Sequence, residues 1–191
     1  PQPDHGLGIS RARAATLLML GLPGGVYLYQ GEELGLPDHT RLPDEFRQDP
    51  TFHRTAGERL GRDGCRVPLP WTSEAPALGF SAAGGSWLPQ PEEWQHLARD
   101  VQRQDRDSTL NLYRTALDLR RKLDLGNGSL AWLTGYPDSV LAYVNGNIAA
   151  LMNMGSDAVP LPQGELIACS RNGAVYDGFL LPDNSAWVRL D

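Results

Sequence analysis

The sequence predicts an α/β part followed by an all-β part, on two observations. First, a dense apolar helix pattern near the start meets a breaker, a short apolar run and a polar loop, which is the αβ half of a parallel α/β repeat. Second, from Leu130 onward the apolar residues change to a period of two and are cut by turn signals, as in a small antiparallel, sandwich-like sheet. The expected boundary lies near residue 126, giving parts 1–125 and 126–191.

Each element has its own warrant. Ser10 is placed to cap a helix from Arg11 to about Gly21, whose dense Ala14, Leu17, Leu18 and Met19 predict burial. Leu22-Pro23-Gly24-Gly25 ends it, and Val26–Gln30 is β-branched and aromatic, as a strand should be. Residues 36–90 are rich in Pro, Gly, Asp and Arg, and so long a loop is more often functional than idle. Pro91-Glu92-Glu93-Trp94 opens a helix to about Val101, with Pro near its start and acids in its first turn. Asp107 or Ser108 caps a further helix carrying Leu110, Tyr113, Leu117 and Leu119, with Arg120, Arg121 and Lys122 near its end and Gly126 as its C-cap. Leu141–Val144 and Ile148–Asn153 flank Asn145-Gly146-Asn147, a strong hairpin signal, and Arg171-Asn172-Gly173 and Pro182-Asp183-Asn184 are further turns.

Composition narrows the function. The chain has 191 residues, 17 basic and 23 acidic, for a net charge of −6, so no basic patch offers itself to nucleic acid. Two distant cysteines, Cys65 and Cys169, predict neither a disulfide framework nor a zinc site and fit a reduced, cytoplasmic setting. Pro1 to His5 carry no signal-peptide pattern, and the apolar run Ala12–Leu20 is too short to span a bilayer, so no membrane partner is expected. His5, His39, His53 and His96 show no metal-ligand spacing, and no metal or cofactor is expected. Asn127-Gly128-Ser129 matches a glycosylation sequon but reads better as a turn.

Two constellations carry candidate chemistry. Glu32 and Glu33 are adjacent carboxylates, a pairing used in glycoside hydrolysis. If strand geometry continues through them they point to opposite faces, so at most one meets a pocket. The bland alternative has one tie down the loop by accepting backbone N–H or Arg hydrogen bonds while the other meets solvent. The second is Gly61-Arg62-Asp63-Gly64-Cys65-Arg66-Val67-Pro68-Leu69-Pro70-Trp71, two arginines around an acid ahead of Pro and Trp. A guanidinium forks onto carboxylates or vicinal sugar hydroxyls, and a Trp face stacks on a pyranose; equally, this is a surface loop with weak ion pairs.

Together the two resemble glycoside hydrolase family 13, the α-amylase superfamily, and more narrowly its α-glucosidase, oligo-1,6-glucosidase and sucrose isomerase branch. Tyr29-Gln30-Gly31-Glu32-Glu33-Leu34-Gly35 matches the branch's loop after a barrel strand. Arg62, Asp63, Arg66, Pro68 and Trp71 match its Arg-Asp-x-x-Arg-x-Pro-x-x-Trp segment, and Leu119-Arg120-Arg121 its barrel-closing helix. The resemblance implies the C-terminal part of a (β/α)8 TIM barrel, with Val26–Gln30 as the eighth strand, followed by an antiparallel β-sandwich domain. It implies an α-glucoside oligosaccharide substrate, with Arg62 the first choice and Arg66 the second for contact with the terminal glucose, and Glu33 and Asp63 in support.

The departure matters as much. In the family the nucleophilic Asp and acid/base Glu end the fourth and fifth strands, and an Asn-His-Asp motif follows the seventh. None of the three is matched here, since Asp4-His5 reverses the last motif and lacks its Asn. The resemblance therefore implies no catalytic residue in this chain and no activity from it alone. A reading from another class is a non-catalytic carbohydrate-binding or structural module with Trp71, Trp87 and Trp132 as stacking platforms. Within the enzyme reading, oligo-1,6-glucosidase, sucrose isomerase and trehalose synthase activities stand beside maltose hydrolysis.

Overall fold

The computed structural model describes residues 4–191; Pro1–Pro3, part of the stretch read for targeting, and the side chain of His5 lie outside the described residues. By packing, the chain forms two units, one made of residues 1–28 with 111–191 and the other of residues 29–110. The boundary expected near residue 126 divides fold types, a different criterion from packing.

In the first unit, helix α1 spans His5–Leu20. It begins earlier than the sequence predicts. Asp4, not Ser10, is its N-cap and accepts from the Leu7 N–H at 3.0 Å, while Ser10 lies inside the helix and donates to the Gly6 carbonyl. Asp and Ser cap comparably well, and the earlier site wins because helical pairing simply extends back to it. Leu17 and Leu20 are fully buried, with Leu112 and Ala116 of the later helix α4, Thr109–Lys122. After α4, Asp124 takes a left-handed conformation and Leu125–Asn127 forms a 3-10 turn, so Gly126 sits in that turn and is not the helix cap. The turn continues through Asn127-Gly128, as the sequence reading prefers over a sequon.

Eight strands follow: β1 Leu130–Trp132, β2 Val140–Asn145, β3 Ile148–Asn153, β4 Val159–Pro160, β5 Glu165–Cys169, β6 Val175–Tyr176, β7 Phe179–Leu180 and β8 Asn184–Arg189. They build a five-stranded antiparallel sheet, β1-β2-β3-β8-β5, and a three-stranded one, β4-β7-β6. The hairpin at Gly146-Asn147 forms where predicted, with Asn145 opposite Ile148. Alternation then assigns the two faces of the larger sheet. Tyr143, Ile148, Ala150 and Trp187 point to α1 and α4, whereas Val140, Ala142, Ala149, Leu151, Ala186 and Val188 join Val159 and Leu180 of the smaller sheet. Strand β3, covered on both sides, is buried throughout.

Val26–Gln30, expected as a strand, enters no ladder among the described residues. A strand exists through its neighbours' hydrogen bonds, and every described strand pairs within the sheets after residue 129. Its aromatics are open, with Tyr27 94 % exposed.

The second unit has little regular structure: helix α2 Pro50–Arg54, helix α3 Arg99–Gln104 and several 3-10 turns. The helix expected from Pro91 to Val101 is broken, because Glu92–Leu97 is a 3-10 turn and Ala98 is extended before α3 begins. Leu42, Val67, Leu88 and Trp94 make its core. Buried Arg47 substitutes for a sheet, donating to the carbonyls of Leu60, Thr40 and Leu42 at 3.1, 2.9 and 2.8 Å. Irregular backbone must find partners somewhere, and one guanidinium supplies three.

Candidate functional site

The site lies in the second unit, where two separate segments meet. Gly31 has φ 92°, a conformation that glycine alone adopts without strain, and it turns the chain into the 3-10 turn Glu32–Leu34. The pair of glutamates is therefore not in a strand, and the alternation argument does not apply to it. Glu33 bends back so that its Oε2 accepts the Gly31 N–H at 2.9 Å, tying down the loop. Glu32 is exposed and lines a pocket.

That pocket holds about 80 Å³. Tyr29, Gln30, Gly31 and Glu32 form one wall, Gly64, Cys65, Val67 and Leu69 the other, and Trp94 lies among the remaining lining residues. Backbone crowding fixes the second wall: a Cβ on Gly64 would lie 2.1 Å from Asp38 Oδ1 and 2.7 Å from the His39 carbonyl oxygen. Partial burial and the neighbouring Cys65 thiol push the Tyr29 phenol up from its ordinary range, against the positive charges of Arg66 and Arg62.

Two buried acids stand behind them. Asp63, 3 % exposed, accepts the N–H groups of Gln48 and Asp49 through Oδ2 at 3.0 and 2.9 Å. Asp49, equally buried, caps α2 by accepting from the Thr51 N–H at 2.8 Å and also accepts from the Arg62 N–H at 3.1 Å. Arg62 Nε and Arg66 Nη1 each lie 3.6 Å from Asp49 Oδ2, and Arg66 Nη1 is 3.9 Å from Asp63 Oδ1. The Thr51 hydrogen bonds first, then the N–H and charge of Arg62, hold the Asp49 carboxyl down at about 2.

Of the sequence-predicted site residues, Arg62, Arg66 and Asp63 come together, Arg62 with an exposed guanidinium and Asp63 with its carboxylate turned into the loop's own backbone. Glu33 serves its own turn and does not line the pocket. Trp71, Trp87 and Trp132 are all exposed. Asp49 and Trp94 were missed as site residues. Asp49-Pro50 carried a readable signal, an N-cap followed by Pro at the first helical position. Among the described residues, no cluster of three or more His, Cys, Asp or Glu could hold a metal, and no helix is long and apolar enough to cross a membrane.

Known proteins place this arrangement. The chain is 34% identical over 175 residues to a "probable alpha-glucosidase" of Rhizobium meliloti (strain 1021), covering 88% of this chain and 31% of that protein. It is 36% identical over 136 residues to the trehalose synthase/amylase TreS of Mycobacterium tuberculosis, covering 68% of this chain and 20% of the relative. A solved alpha-glucosyl transfer enzyme, XgtA, superposes with a TM-score of 0.75 at 32% identity, over 94% of this chain and 36% of its own. The isomaltulose synthase of Klebsiella sp. LX3, at 20% identity and a TM-score of 0.77, shares the fold over 95% of this chain and 38% of its own. The chain thus spans between 20% and 38% of these relatives' lengths. Residues 4–127 match the family model described as alpha amylase, catalytic domain, and the chain belongs to that family, the α-amylase family of glycoside hydrolases, family 13.

Proposed function

We propose that this chain is the C-terminal part of a retaining α-glucosidase that removes terminal α-linked glucose from short oligosaccharides such as maltose. The observation that carries the reading is the convergence of two motif segments on one pocket, Tyr29–Glu32 from the first and Gly64, Cys65, Val67 and Leu69 from the second, the segment that also carries Arg62 and Arg66. Val26–Gln30, unpaired here, would then become the last strand only within a complete barrel, and residues 126–191 are the C-terminal β-sandwich domain. In a retaining glycosidase one carboxylate attacks the anomeric carbon and a second protonates the departing oxygen, then activates water against the covalent glucosyl-enzyme. Residues 1–191 contribute neither carboxylate. Their part is to hold the sugar, with Arg62, and after it Arg66, donating to glucose hydroxyls, while Glu33 and Asp63 keep the loops in place. The two free cysteines fit a reducing, cytoplasmic compartment.

The complete protein should release glucose from maltose with retained configuration, read by NMR of the fresh product. First-formed β-glucose, or no release, overturns the reading. The 191-residue polypeptide alone should release none, and turnover by it without a partner refutes that part. One observation favours a second reading, a non-catalytic carbohydrate-binding module: Trp71, Trp87 and Trp132 are all exposed. Coding DNA upstream of Pro1 decides between them, since an in-frame segment with the Asp, Glu and Asn-His-Asp motifs supports only the enzyme.

A further inference from the structure

Arg62 and Arg66, in the segment whose Gly64, Cys65 and Val67 line the pocket, differ from ordinary surface arginines in what stands behind them. Arg62 and Arg66 are exposed, and exposed ion pairs usually fix nothing. Their shared partner is Asp49, however, a carboxylate only 3 % exposed whose own place is set by the Thr51 and Arg62 N–H donors. A buried carboxylate has to be paired. Asp49 meets both guanidiniums at 3.6 Å, and Asp63 adds a second negative charge 3.9 Å from Arg66. Two buried acids thus face two outward-reaching bases. Contacts of 3.6 and 3.9 Å are charge pairing beyond normal hydrogen-bond length, so they set direction while leaving N–H donors to point at a ligand. Asp63 also accepts the Asp49 N–H, which locks the Asp49 backbone.

We propose that Asp49 is the positioning residue for this pair of arginines: it fixes where Arg62 and Arg66 present their guanidinium groups to a sugar's vicinal hydroxyls. Asp49 itself touches no sugar, and it acts through the arginines. The assignment rests on the reading of those arginines as sugar-binding residues.

The test is a double-mutant cycle in the complete protein, with maltose as substrate. Asp49→Asn should raise KM about tenfold, the scale expected for loss of charge-assisted contacts, with kcat within about threefold. In the background Arg62→Gln/Arg66→Gln, adding Asp49→Asn should change KM by less than about twofold, because the groups it positions no longer bind. An equal KM effect in both backgrounds overturns the positioning role and leaves the arginine reading standing. If the arginine pair can be neutralised with no change in KM, both fall. Should Asp49→Asn not fold, Asp49→Ser keeps the cap on Thr51 while removing the charge, and the same outcomes apply to it.

Discussion

Asp49 joins helix capping to charge pairing in one carboxylate, and that gives its protonation a measurable consequence. Its folded pKa is about 2 against an ordinary 3.8. Between those values the unfolded chain binds more protons than the folded one, so stability is lost as pH falls through that window. The difference in urea midpoint between the parent chain and Asp49→Asn should therefore hold constant from neutral pH to about 3.8 and shrink toward pH 2; a constant gap down to pH 2 would contradict this. Gly64 makes a second residue-scale prediction. Because an added Cβ meets a backbone oxygen at 2.7 Å as well as the Asp38 carboxylate, Gly64→Ala should cost about 1–3 kcal/mol in thermal unfolding. Arg62, Asp63 and Arg66 were legible as a cluster because they sit within five consecutive positions. Their partnership with Asp49 was not, since it reaches across an irregular loop where no period links the residues.

Helix α1 shows how an element can be predicted while its ends are not. Its last turn carries no basic residue; the N–H groups of Gly21 and Leu22 close the carbonyls of Leu18 and Met19 locally, and side chains from elsewhere in the unit supply further donors at this end. Trp187 Nε1 donates to the Leu17 carbonyl at 2.9 Å, the Tyr143 hydroxyl donates to that of Leu18, and Asn145 Nδ2 donates to that of Gly21 at 2.8 Å. Arg120 completes the set, donating to the carbonyls of Leu20, Leu22 and Gly24. Burial of Tyr143 pushes its phenol up, which keeps that hydroxyl a donor. Replacing Arg120 by Met should cost about 2–3 kcal/mol in denaturant unfolding, the scale of lost charge-assisted hydrogen bonds; no loss would mean water replaces it freely. The hairpin at Gly146-Asn147 was readable because its signal is local, α4 because its apolar residues recur three or four apart, and α1 because its apolar residues are dense. The break at Ala98 and the capping of α1 from residues up to 170 positions away were not, because tertiary contacts decide both.

At the scale of the whole molecule, the first unit is built from two distant stretches of chain. Leu17 and Leu20 share one core with Tyr143, Ile148, Ala150 and Trp187. A chain ended at residue 126 would keep α1 and lose the sheet it packs on. It should show no cooperative thermal transition by circular dichroism, whereas a sharp one would show that α1 and α4 suffice. That dependence could not be read from the sequence, where α1 belongs to the α/β part and the sheet to the all-β part. It also constrains descent. If relatives exchanged segments, a crossover near residue 126 would give α1 from one parent and Trp187, Tyr143 and Asn145 from another, leaving foreign side chains to meet the helix's last carbonyls. Crossovers at Leu28/Tyr29 and Leu110/Asn111 respect the packing units instead. Helix α1 and the sheet after residue 129 are co-inherited parts of one packing unit.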